Sequence, residues 1–95
     1  MSFLARFRRK KEDPELARRR VLLQFGRIGE ATVLETRKDD NGHVMLSYSY
    51  TVGGDDYQAF QRLDEEQLRR NYDYFPDARV AMRYDPRRPV NSFVV

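Results

Sequence analysis

From Val44 to Val52 the chain alternates without a break. Val44, Leu46, Tyr48, Tyr50 and Val52 fall on one side and Ser47, Ser49 and Thr51 on the other. Large residues at period two predict a half-buried strand, and this is the best-defined element in the chain. Ala31-Thr-Val-Leu-Glu-Thr36 before it is short and rich in β-branched residues, so it reads as a strand in a body that begins at Gly29 or Glu30. Asn41-Gly42 between the two is a strong hairpin signal, since both residues tolerate the positive φ of a tight turn. Gly53-Gly-Asp-Asp56 predicts a second turn, and Tyr57 to Arg62 the returning strand.

The period then changes. Asp64-Glu-Glu-Gln67 has the form of a capping box, and the helix it opens is expected to carry Leu68 and Tyr72 on one face and to end before Pro76. Arg79 to Tyr84 is a fourth strand with Val80, Met82 and Tyr84 inward; Pro86 and Pro89 break it, and Ser92-Phe-Val-Val95 closes the sheet. Upstream, Asp13-Pro14-Glu15 reads as a helix start, with a capping carboxylate, a proline at the first helical position and an acid in the first turn. Leu16, Arg20, Leu23 and Arg27 share a stripe, Gly26 stops the helix, and Leu22, Leu23 and Phe25 are expected to pack on the body. No internal repeat is visible.

These elements predict an α+β chain in two parts. Residues 1–25 form a basic N-terminal arm, partly helical from about residue 13, and residues 26–95 a small β-rich domain. Five short antiparallel strands with one inserted helix curl into a partly open barrel, which also protects sheet edges.

Composition adds two constraints. The 95 residues include no cysteine, so stability rests on a core without disulfides and no thiolate can hold a metal. Charge is uneven: residues 1–20 hold eight Arg or Lys against Glu12, Asp13 and Glu15, a net of +5, whereas the whole chain is +3, so residues 21–95 carry −2. The basicity belongs to the arm. No stretch approaches the roughly 20 apolar residues of a membrane span, and the short apolar start, lacking a clear cleavage site, does not read as a secretory signal. A cytoplasmic protein, peripheral at a membrane if the arm binds one, is the expectation.

Three motifs from Gly26 onward occur in order: Gly26, Gly29, Ala31 and Val33; then Tyr48, Tyr50, Val52 and Gly54 with Tyr57 after them; then Tyr84, Asp85, Pro86 and Pro89, leading into Asn91-Ser92. Over about seventy residues the chain thereby resembles the bacterial family called domain of unknown function three-five-nine-two. The resemblance implies a small β domain and transfers no site residues. Members of that family often carry flanking membrane helices, and the arginine-rich segment before Gly26 stands where such a helix usually sits.

Candidate chemistry is sparse. His43 is the only histidine and follows a turn, and with no cysteine only carboxylates remain as co-ligands. Ser47 and Ser49 lie in mid-strand with no nucleophile elbow. Asp39-Asp40 and Asp55-Asp56 suit turns and lack the spacing of a calcium loop. Tyr48, Tyr50, Tyr57 and Tyr84 with Phe60 suggest a stacking platform for single-stranded nucleic acid, but Tyr48 and Tyr50 share the core face. The expectation is therefore a non-enzymatic module with no cofactor and no metal.

The arm carries the functional expectation. Phe3, Leu4 and Phe7 fall on one helical side and precede a run of basic residues. Anchoring is assigned to those three and electrostatic capture to Arg6, Arg8, Arg9, Lys10 and Lys11, with Arg18, Arg19 and Arg20 behind them. Apolar–basic amphipathicity favours an anionic membrane surface. A protein partner, a homodimer through a sheet edge and, behind these, single-stranded nucleic acid are the alternatives.

Overall fold

The structure, a computed structural model, describes residues 13–95. Helix α1 spans Pro14–Phe25, and five strands follow: β1 Arg27–Lys38, β2 Val44–Val52, β3 Asp55–Arg62, β4 Arg79–Asp85 and β5 Arg88–Val94. One turn of helix, α2 at Glu65–Leu68, and a 3-10 turn at Asn71–Asp73 lie between β3 and β4. The sheet is antiparallel throughout in the order β3-β2-β1-β4-β5.

β1 organises the sheet. Its first half pairs with β4, from Arg27 opposite Tyr84 to Thr32 opposite Arg79, and its second half with β2, from Thr32 opposite Ser49 to Lys38 opposite Val44. A bulge falls between these halves, where Val33 faces Tyr48 but Glu35 faces Ser47 and Leu34 is the extra residue. Bulges bend a strand and increase its twist. Here the bend curls the two hairpins toward each other until β3 and β5 meet, leaving a nearly closed barrel.

The alternation in β2 places its odd-one-out faces as expected: Leu46, Tyr48 and Tyr50 are buried, while Val44 and Val52 pack at the margins of the same core. Ala31, Val33, Leu63, Tyr74, Met82 and Val94 complete it. Both hairpin turns use their glycines at positive φ, Gly42 at 82° and Gly53 and Gly54 at 60° and 87°.

Four expectations need correction. β1 begins at Arg27 rather than at Gly29 or later, because pairing with β4 recruits residues that have no apolar alternation of their own. The inserted helix makes one turn only: its capping box forms as read, but Leu68 and Tyr72 stay exposed and Tyr74 enters the core instead. Pro89 lies inside β5, tolerated where the β4–β5 register shifts after Tyr84. Of the three α1 residues expected on the body, Leu22 alone is buried, and Leu23 and Phe25 remain 49% and 72% exposed.

Two motif glycines have steric reasons. A Cβ on Gly26 would meet the Leu22 carbonyl oxygen at 2.5 Å and that of Tyr84 at 3.1 Å, where the end of α1 crosses β4. A Cβ on Gly29 would press into Met82 Sδ and the Tyr84 ring at 2.9 and 3.2 Å.

Candidate functional site

α1 starts as its sequence dictates. Asp13 accepts from the Glu15 N–H at 2.9 Å and Pro14 supplies the first helical residue. Glu15 then takes Arg18 in a two-pronged pair, Nε to Oε1 at 2.9 Å and Nη2 to Oε2 at 2.8 Å, and Arg19 through Nε at 2.7 Å. The Arg18 guanidinium, helped by Arg19, outweighs partial burial and holds the Glu15 carboxyl down at about 2.

The remaining donors of these arginines go into the barrel. Arg18 Nη1 donates to Asn91 Oδ1 and to the Ser92 carbonyl, both at 2.8 Å. Arg19 Nη2 donates to the Arg62 carbonyl at 2.9 Å, and its guanidinium lies 5.7 Å from the centre of the Phe93 ring. Arg62 ends β3 and Ser92 lies in β5, so the two neighbouring arginines clamp both sides of the seam where the barrel closes. Gln61 and Gln67 complete it from within, both reaching the backbone of Val94.

The tyrosines line the inside of this seam. Tyr48 and Tyr50 stack with ring centres 5.8 Å apart, and Tyr50 and Tyr57 at 5.3 Å. The Tyr48 hydroxyl shares a hydrogen bond with Ser92 Oγ at 2.9 Å, and that of Tyr50 donates to the Pro89 carbonyl at 2.6 Å. Burial pushes both phenols upward. Tyr48 and Tyr50 are thus core residues whose polar ends hold β5. Phe60, 73% exposed, is the aromatic of that set that stands on the outer face.

Another part of the outer face is polar. An open depression of about 790 Å³ is lined by Glu30, Thr32, Ser49, Thr51, Gln58 and Arg79 among others. Its charged groups answer one another: Arg79 Nη1 lies 3.5 Å from Glu30 Oε1, and Thr51 donates to Asp56 at 2.7 Å. His43 Nδ1 lies 3.4 Å from Asp39 Oδ2 in the β1–β2 turn. Asp39 also accepts from the His43 and Asn41 N–H groups, which lower its pKa. Among the described residues no three His, Asp or Glu gather as a metal site, and every buried side-chain nitrogen and oxygen has a hydrogen-bond partner.

Of the residues singled out in the sequence, Phe3, Leu4, Arg6, Phe7, Arg8, Arg9, Lys10 and Lys11 lie outside the described residues. Arg18 and Arg19 are brought together, but toward the barrel, and Arg20 lies on the exposed side of α1. The seam role of Arg18 and Arg19 was missed. The nearest signal was Glu15, spaced three and four residues before them, where helical ion pairs form.

The fold and seam define a small α+β barrel domain whose interior is filled by side chains and whose closing edge is clamped by a preceding helix. The chain belongs to the family Domain of unknown function (DUF3592), whose model matches residues 26–95. No curated protein and no solved structure matches it.

Proposed function

We propose that this chain is a non-enzymatic interaction module that brings its barrel to an anionic membrane surface through residues 3–20. The observation that supports this reading is the clamp made by Arg18 and Arg19. It ties α1 to both sides of the seam, so a basic segment entering α1 at Asp13 is coupled to a fixed point on the barrel. Charge division favours the same reading: the first twenty residues are cationic and the rest of the chain is slightly anionic, so attraction to phosphate headgroups acts at one end. The filled interior and mutually paired polar groups support a binding role over catalysis. A cytoplasmic, peripheral location goes with this reading.

Phe60 favours a second reading, single-stranded nucleic-acid binding, because it offers one exposed stacking surface on the sheet. One ring on a body of net −2 is a weak footing for a phosphate-tracking groove. Amide chemical shifts followed against phosphatidylglycerol vesicles and then against short oligonucleotides separate the two. Binding to vesicles, lost in Phe3→Ser/Phe7→Ser, is the expected result. Shifts at Phe60 and its neighbours with oligonucleotide alone would replace it with the second reading, and silence in both would remove the membrane role.

A further inference from the structure

The last turn of α1 does not pack as an amphipathic helix should. Leu22 is its one buried residue, while Val21, Leu23 and Phe25 are 55%, 49% and 72% exposed. Ile28, just inside β1, is also 72% exposed. Isolated exposed apolar residues need no explanation, but these four fall within eight residues of sequence. Two of them also lie together, one helical turn apart on α1. Val21 and Phe25 share a groove of about 360 Å³ with Pro86 and Arg87 of the β4–β5 turn.

Charge identifies the occupant. From Leu16 to Ile28 every ionisable residue is arginine. Arg18 and Arg19 are committed to the seam, whereas Arg27 is exposed, and the adjoining turn adds exposed Arg87 and Arg88. One carboxylate lines the groove, Asp85, which accepts from the Arg87 N–H at 2.9 Å and is outnumbered by the three exposed arginines. A second copy docking here by twofold symmetry would bring arginine against arginine. A bilayer with anionic headgroups accommodates both features, since apolar side chains enter the headgroup–acyl boundary and guanidiniums pair with phosphates.

We propose that the end of the barrel formed by the last turn of α1, Arg27 and the β4–β5 turn is a contact surface for anionic phospholipid. Val21 and Phe25 insert, and Arg27, Arg87 and Arg88 sit on headgroups. This rests on the membrane reading above and adds to it a site on the barrel itself. The site begins at the C-terminal end of α1, just beyond the segment 3–20 that carries the membrane reading, so the two contacts together constrain the barrel's orientation rather than only tether it.

The sequence has no tryptophan, so Phe25→Trp introduces a single reporter at an exposed position of the site, with Val21→Trp as a second should the first perturb folding. On phosphatidylglycerol vesicles the indole emission is expected to shift to the blue, and on phosphatidylcholine vesicles to stay that of a hydrated indole. Phe25→Ser with Arg87→Ser should weaken vesicle partitioning about tenfold or more, and Phe60→Ser should leave it unchanged. Co-sedimentation with vesicles while both reporters remain hydrated would overturn this site and leave the arm reading standing. Absence of co-sedimentation would remove both. An equal blue shift with polyglutamate would overturn the lipid assignment in favour of an acidic protein partner.

Discussion

The side-chain amide of Gln61 pairs with the backbone of Val94 as a neighbouring strand would. Its Nε2 donates to the Val94 carbonyl at 2.9 Å and its Oε1 accepts from the Val94 N–H at 2.7 Å. Both partners are buried, and Gln67 donates to the same carbonyl at 2.8 Å. Backbone pairing ends at β3 on one side and β5 on the other, so one carboxamide does at the seam what a ladder does elsewhere in the barrel.

Gln61→Leu should therefore cost about 2–4 kcal/mol, because it strands a buried N–H in addition to losing packing geometry. Urea unfolding measures it. Gln61→Glu gives a sharper test: the ionised acid can accept from Val94 N–H but repels the carbonyl, whereas the protonated acid restores both bonds. Its folded pKa is raised, so the variant should regain stability as pH falls, opposite in sign to most carboxylates. A variant that weakens in acid would show that the second bond contributes nothing.

How far this barrel was legible varies with the range of the interactions. β2 and the places of its two turns were readable because alternation and turn glycines are local patterns, and Gly42, Gly53 and Gly54 all take positive φ; Asn41 does not, and the β1–β2 connection runs over residues 39–43. The ends of β1 were not: Arg27 and Lys38 are held by ladder partners on other strands and carry no periodic mark. The seam is further out of reach, since Gln61 meets a residue 33 positions away and Arg18 one 74 away. Arginines in a basic run look like a solvated face, and nothing in the local sequence says that two of them find carbonyls on opposite strands. The same limit hid the exposure of Leu23 and Phe25, which depends on how far around α1 the barrel reaches.

Glu15 should set part of the acid limb of stability. Arg18 and Arg19 lower its pKa to about 2, so the folded state keeps it ionised where the unfolded chain has taken up a proton. The contribution is complete above pH ~5 and is lost as pH falls from there toward 2. The side chain is 44% exposed, so solvent screening reduces its value to about 1 kcal/mol. Glu15→Gln is expected to lower stability by about that amount at neutral pH and to flatten the profile below pH ~5. Parallel profiles for the two proteins would mean that the arginines hold the seam without needing Glu15.

Gly26 and Asp77 make opposite predictions about the backbone. Gly26→Ala places a methyl against two carbonyl oxygens where α1 crosses β4, and a loss of about 1–3 kcal/mol is expected. Asp77 sits at φ 72°, the one non-glycine residue at positive φ among those described, and its N–H holds the Val33 carbonyl at 2.8 Å. Asp77→Gly should be neutral or stabilising by up to about 1 kcal/mol, and Asp77→Val should destabilise by about 1–2 kcal/mol. Thermal unfolding of the three variants checks the set; a neutral Gly26→Ala would show that α1 can pivot away from β4.

Tyr48 links core packing to behaviour in alkali. Its ring is fully buried and its hydroxyl meets Ser92 Oγ, and burial raises its pKa above the ordinary phenolic value of 10.0. The folded state therefore holds its proton where the unfolded chain releases it, and stability falls as pH rises past about 10. Tyr48→Phe keeps the ring and its stacking on Tyr50 but leaves Ser92 Oγ without this partner, at a cost of about 1 kcal/mol at neutral pH. It also removes one group that must ionise, so the variant should lose less stability than the parent as pH rises past about 10. The comparison is made by tyrosinate absorbance at equilibrium during unfolding. If the parent phenol titrates freely near 10 without loss of folded signal, Tyr48 is reachable by water and the barrel opens along β5 more readily than its hydrogen bonds imply.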